Sequence, residues 1–313
     1  MRWAGTLLIL VCSAFAQFRS TVPLVVAPTT VTDSKGRSVD GLTAGDLILF
    51  DNNVPQKIQL DSTAYPIDLV VAVQTSANSG AVIEKLGGTG ILFTELLAAY
   101  SGETAVMSFS DEVKIRQDFT SDPDLVIRAL RSLRKEGEQA HMLDAMHEAL
   151  KMLSHRPPGR RRIILMIAEK RDRASTTKLP EVMEQVERAN AVVYWFTYSP
   201  FLEPFTDRTP PSPEVPPGGY NCILCAVHEL IRLHQPDAAS LFANSTGGRT
   251  INVLKKSGLE KAIQVVSEEV HRQYILSFQP KSGEPGEFHS IRVAVKDRPG
   301  LRVKTRDGYW TLE

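Results

Sequence analysis

The pattern of apolar positions changes character twice along the chain. Up to residue 62 the apolar segments are short and rich in β-branched residues: Val22–Val26, Pro28–Thr32, Leu47–Phe50 and Lys57–Leu60. The turn signals Asp33-Ser34-Lys35-Gly36 and Asp51-Asn52-Asn53 separate them, which predicts a β region without a long helix. From 66 to 200 solid apolar runs alternate with helical spacing. Leu69–Val73, Thr104–Phe109, Ile163–Ala168 and Ala191–Phe196 read as strands. Leu69–Val73, Val-rich with polar flanks, suits a strand buried on both faces of a parallel sheet. The intervening helices are Val82–Tyr100, interrupted by Gly87-Gly88-Thr89-Gly90, then Asp122–Leu133, Leu143–Leu153 and Leu179–Ala189.

After residue 200 the pattern shifts again. Residues 201–221 form a loop rich in Pro and Gly, of a length that is commonly functional or mobile. Residues 222–245 look helical, and Ser257–Gln273 is a helix with Leu259, Ile263, Val266 and Val270 on one side. The short strands Tyr274–Phe278, Ser290–Val295 and Leu301–Thr305 follow. Both outer β regions need a partner sheet. The expected architecture is therefore an α/β unit over 66–270, with a mostly parallel sheet and helices on both faces. It is inserted into a small β domain that 17–65 and 271–313 build together.

The 36 basic and 36 acidic residues cancel, so no global charge argues for nucleic acid or an anionic membrane as partner. Residues 1–16 read as a signal peptide: Arg2, the short apolar core Ala4–Ala14, and Ala14-Phe15-Ala16 ahead of Gln17. That core is too short to span a bilayer, and a secreted or periplasmic protein without a membrane span is expected after cleavage, a retained N-terminal anchor being the other reading. Cleavage removes Cys12 and leaves Cys222 and Cys225. An exported C-x-x-C pair can be a local disulfide, free thiols or metal ligands with His228 and His234, or a redox pair. The Pro-rich context differs from the strand-to-helix setting of thioredoxin-type motifs.

A set of short motifs runs in order along the chain: Val31-Thr32-Asp33-Ser34-Lys35-Gly36-Arg37, Gly41–Leu47, Pro55–Ile58, Phe109-Ser110, Phe119-Thr120, Leu143-Asp144-Ala145, Ser245-Thr246-Gly247-Gly248-Arg249, Arg272–Leu276 with Pro280, and Arg306-Asp307-Gly308-Tyr309. In order and spacing they resemble the exported von Willebrand factor A-related proteins common in Acidobacteria, over nearly the whole mature length. The resemblance implies a von Willebrand A-like α/β domain with a flanking β region, and a role in binding proteins outside the cytoplasm.

It also implies a place for Mg²⁺, held by an Asp and two Ser from a first loop, a Thr from a second and an Asp from a third, with one position open to a partner's carboxylate. This chain departs from that set. Gln74 stands at the first Asp and Ser76 at the first Ser; Asn78 stands at the second, with Ser79 next to it. Ala140 falls at the Thr, and Glu169 at the Asp of the third loop, Ile167–Asp172. One reading is a weakened site that takes Mg²⁺ only with a partner's carboxylate, with Asp111 or Asp172 in reserve. The other is a loop that keeps its shape without a cation, so that no cofactor is expected. In that case Lys170, Arg171 and Asp172, with Arg173, become candidate contacts for an unidentified protein partner. Arg160–Arg162 precedes its strand at the opposite edge and reads as surface charge. No nucleophile elbow, zinc helix or phosphate loop occurs, so an enzyme is not expected. The alternatives are a structural envelope scaffold whose β region makes the contacts, and a thiol oxidoreductase using Cys222 and Cys225.

Overall fold

The computed structural model describes residues 24–61, 65–77, 79–98, 101–170, 172, 174–198, 237–253, 256–280 and 286–311. The signal segment 1–16, the loop 201–221, Cys222, Cys225, His228, His234, Asn78, Arg171 and Arg173 lie outside them.

The N-terminal β region comprises β1 (Val25–Thr32), β2 (Leu47–Asp51), β3 (Val54–Gln56) and β4 (Ile58–Asp61). The α/β body follows as β5 (Ile67–Gln74), α1 (Gly80–Ala98), β6 (Glu103–Phe109), β7 (Val113–Thr120), α2 (Pro123–Ser132), α3 (Met142–Ser154), β8 (Arg161–Ala168), α4 (Leu179–Ala189), β9 (Ala191–Thr197), α5 (Ala238–Ser245), β10 (Thr250–Asn252) and α6 (Lys256–Arg272). β11 (Tyr274–Phe278), β12 (Phe288–Val295), β13 (Arg302–Lys304) and β14 (Gly308–Trp310) close the described chain. Among the described residues no helix is long and apolar enough to cross a membrane.

β5 is buried along its whole length, as its unbroken apolar run requires. It lies inside the sheet β10-β9-β8-β5-β6-β7, parallel throughout except for the antiparallel edge strand β7. Leu69, Val71 and Val73 face one core with Leu86 of α1, Leu130 of α2 and Ile263 of α6. Val70 and Ala72 face the other, with Met146 of α3, Val182 of α4 and Phe242 of α5.

Two expectations need correction. The glycines at 87–90 do not interrupt α1, which is continuous from Gly80 to Ala98. Instead they let α2 approach: a Cβ on Gly90 would come within 2.9 Å of Ile127 Cγ1 and 3.3 Å of its Cα. Arg160–Arg162 is not surface charge either. Arg160 (2.7 Å) and Arg156 (3.1 Å) pair with the fully buried carboxylate of Asp68. Arg161 donates to the Val270 carbonyl at 3.1 Å and to Gln273, and Arg162 donates to the Ala189 carbonyl at 3.0 Å. A buried carboxylate on β5 needs cations close by, and Arg160 of this run supplies one, with Arg156 the other.

The outer strands form two four-stranded antiparallel sheets, β13-β1-β11-β4 and β14-β12-β2-β3. They enclose one core of Leu49, Leu276, Phe278, Ile291 and Tyr309. Pro28 sits in β1 where the register gives that strand a neighbour on one side only.

Arg306 joins the β domain to the α/β body. It donates to the carbonyls of Gly308 (2.6 Å) and Glu187 (2.8 Å) and to the side chain of Asn190. Glu187, buried at the end of α4, accepts from Trp310 Nε1 at 3.0 Å. Burial pushes the Glu187 carboxyl up to about 7, against the lowering effects of Trp310 and Arg306. A carboxyl raised in the folded state favours the folded protein while protonated, so stability falls as pH rises from the usual 4.5 to about 7. Glu187→Gln is expected to keep the Trp310 contact and to remove this loss, on the order of 2–3 kcal/mol. Urea unfolding across that pH window checks it; an unchanged pH slope would count against a neutral Glu187.

Candidate functional site

β5, β6 and β8 end side by side, and the loops that follow them converge at the carboxyl edge of the sheet, where ligands of open α/β folds bind. The first loop begins at Gln74, whose side chain is 1% exposed. Its Nε2 donates to Ser76 Oγ at 2.7 Å, and its Oε1 accepts from the Glu169 backbone N–H at 2.9 Å. The amide therefore ties the first loop to the third. Ser79 Oγ donates to the Ser76 carbonyl at 2.6 Å, and the Ser79 carbonyl accepts from Val82 and Ile83 N–H at 3.0 Å each, which starts α1. Thr75 N–H donates to the Phe109 carbonyl at 2.8 Å, and the Thr75 carbonyl accepts from Glu136 N–H at 2.6 Å.

The second loop is fastened at two further points. Asp111 accepts from the backbone N–H groups of Glu138 (3.2 Å) and Gln139 (2.8 Å). Glu136 pairs with Arg116 at 2.7 Å and Lys114 at 3.1 Å on β7, and these two contacts, Arg116 first, hold its carboxyl below the usual range. Ala140 is buried at 8% exposure among the apolar residues under α3 and brings no oxygen.

The third loop leans on α3. Asp172 Oδ1 accepts from Met142 N–H (2.9 Å), Leu143 N–H (3.2 Å) and Ser175 Oγ (2.6 Å). It satisfies the open N–H groups at the start of α3. That inward engagement makes it a cap of α3. Asp144 accepts from Thr177 Oγ1 at 2.6 Å, from Thr177 N–H at 2.9 Å and from Thr176 N–H at 3.1 Å. Burial raises its carboxyl, but the Thr177, Thr176 and His141 contacts outweigh burial and hold it well below the usual range. A lowered carboxyl stabilises the fold above its ordinary value near 3.8 and loses that stabilisation as pH falls. Asp144→Ala is expected to cost about 1–2 kcal/mol at neutral pH and progressively less in acid. Thermal melts at neutral and acid pH check this, and an equal cost at both would sink the assignment.

Lys170 is half-exposed at the lip, 3.6 Å from Asp237, which caps α5 through Ser240 N–H at 3.1 Å. Trp195 Nε1 donates to the Glu169 carbonyl at 3.2 Å, fixing the third loop to β9. The phenol of Tyr198, at the end of β9, is pushed up by burial and then by the Glu169 charge, so it stays neutral. The structure thus brings Gln74, Ser76 and Glu169 together, with Lys170 beside them, and seats Ala140 and Asp172 in supporting roles. The loop-fastening roles of Asp111 and Glu136 were not read from the sequence. The only signal was their placement just after β6 and just before α3.

A mostly parallel six-stranded sheet, with helices on both faces and three loops meeting at its carboxyl edge, is the von Willebrand factor A fold. Residues 73–170 match the family model described as von Willebrand factor type A domain, a stretch that runs from the end of β5 through the first two loops to Lys170, at the start of the third. Among solved structures, the conserved hypothetical protein BatB from Bacteroides thetaiotaomicron is 15% identical, with a TM-score of 0.44 over 66% of this chain and 97% of that one. An aerotolerance-related membrane protein from Bacteroides fragilis is 16% identical, with a TM-score of 0.43 over 66% and 98%. The VWA domain of SpRpn10 is 13% identical, with a TM-score of 0.35 over 42% and 75%. None of the curated proteins matches the chain.

Proposed function

We propose that this chain is an exported, non-enzymatic protein-binding module that engages its partner at the carboxyl edge of the sheet without a cation. The observation that carries the reading is the Gln74 amide, which spans the first and third loops through Ser76 Oγ at 2.7 Å and Glu169 N–H at 2.9 Å. A hard cation draws such loops together through negatively charged oxygens. Here a neutral group makes the connection with hydrogen bonds, both of its polar ends are engaged, and Ala140 offers no ligand. The residues present do not fit Mg²⁺. Lys170, half-exposed at the same lip, supplies positive charge for a partner carboxylate.

Capture of a partner from envelope extracts tests this. Capture is expected to persist in EDTA and to weaken about tenfold on Lys170→Glu, the range of a lost charge-assisted contact. Calorimetry against Mg²⁺ and Mn²⁺ is expected to show no micromolar binding. Micromolar affinity, or capture abolished by EDTA, would overturn the reading.

A further inference from the structure

A second recess opens beside the carboxyl edge, between the first turns of α1 and the last turn of α2. Its volume is about 340 Å³, room for one or two side chains. Its floor is apolar, made by Ile83 and Leu133, and its walls carry Arg131, Arg134 and Lys135 against the single acid Glu84. Gly80 at its rim directly follows Ser79 of the first loop, and Lys135 directly precedes Glu136 of the second. The recess therefore continues the candidate site along the surface.

Backbone carbonyls hold the two guanidinium groups in place. Arg131 Nε donates to the Gly87 carbonyl at 3.1 Å, and Arg134 Nη1 donates to the carbonyls of Arg131 and Leu133 at 2.7 Å each. Each guanidinium keeps further N–H groups directed elsewhere, and among the described residues none of the three cations is paired with a carboxylate. Arginines pre-positioned in this way lose little freedom when they take a carboxylate, and their forked donors match its two oxygens. An apolar floor between fixed cations suits a chain that alternates acidic and apolar side chains.

We infer that the α1–α2 recess is a docking site for an acidic peptide segment of a partner protein, which places an apolar side chain on Ile83 and Leu133 and carboxylates on Arg131, Arg134 and Lys135. The inference rests on the reading of the domain as a protein-binding module and adds the partner's chemistry.

The probe is the fluorescein-labelled peptide Glu-Leu-Glu-Glu-Leu-Glu, titrated into the mature protein by anisotropy, with methyl NMR of Ile83 and Leu133 as the locator. Saturable binding that shifts both methyls is expected. Replacing Glu by Gln, or Leu by Ser, in the peptide is expected to weaken it at least about tenfold, as is Arg134→Glu with Lys135→Glu in the protein. Lys135→Glu alone, on an exposed side chain, is expected to weaken it severalfold and serves if the double variant misfolds. Lys170→Glu is expected to leave the peptide affinity unchanged. Absence of binding by the unaltered protein, unchanged affinity in the recess variants, equal binding of the Gln peptide, or methyl shifts elsewhere overturns the assignment. So does tighter binding to phosphatidylglycerol vesicles than to the peptide. Peptide binding lost in Lys170→Glu but kept in the recess variants removes the recess while leaving the edge-binding module standing.

Discussion

Replacing Arg306 by Ala is expected to destabilise the protein by about 3–5 kcal/mol, the cost of losing several hydrogen bonds from a buried charged donor. The side chain is 6% exposed. Its loss removes the side-chain donor from the Gly308 and Glu187 carbonyls and from the Asn190 side chain, where α4, β14 and the start of β9 meet. Burial also lowers the Arg306 guanidinium to about 10, and Glu187 and Asp307 oppose that shift, so it remains charged at neutral pH. Arg306→Lys is expected to recover only part of the loss, because one ammonium cannot follow the planar fork that reaches three acceptors. Urea unfolding followed by circular dichroism measures both. A cost for Arg306→Ala below about 1 kcal/mol, the range of an exposed contact, would show that the junction is not held this way.

Gln74→Ala is expected to cost about 3 kcal/mol: two hydrogen bonds lost from a buried position, with the partners Ser76 Oγ and Glu169 N–H left behind. The informative companion is Gln74→Glu. It preserves the shape and the acceptor for Glu169 N–H, but it places an ionisable group at a position 1% exposed. Burial raises the pKa of such a group, and a raised carboxyl favours the fold only while protonated. Gln74→Glu should thus resemble the parent in acid and lose roughly 2–3 kcal/mol as pH rises past neutrality. Hydrogen exchange at the Glu169 amide reports the same contact locally. If Gln74→Glu is as stable as the parent at every pH and gains affinity for Mg²⁺, the neutral tie is dispensable and the cation reading returns.

The sheet was legible because its strands are unambiguous. β5 and β8 are apolar on both faces, and helical spacing marks α2, α3 and α4 between strands. β7 escaped for the opposite reason. Val113–Thr120 is an edge strand with half-exposed, mostly polar side chains, so it carries no apolar run. β10 and β14 are three residues each, too short to show a period. The positions of Gln74, Ala140 and Glu169 around the edge were legible through the resemblance, but their bonding was not. Whether an amide points at Ser76 or at solvent depends on the distance between two loops 95 residues apart. The basic run at 160–162 was misread because its buried counter-charge, Asp68, lies on another strand.

The interleaved origin of the β domain also bears on how the chain folds. β1 has β11 and β13 as its two neighbours, and β2 has β12 beside it, so these strands pair with residues 240 or more positions later. In a chain that emerges N-terminus first, β1 has no partner strand, and β2 has only the short neighbouring β3, until nearly all of it is available. The α/β body, whose neighbouring strands are mostly close in sequence, can close first. Long-range pairing of this kind is slow and leaves strand edges open in the interval. The β domain is therefore the last part to form, and a chain stopped before Tyr274 holds β1 with no strand on either side.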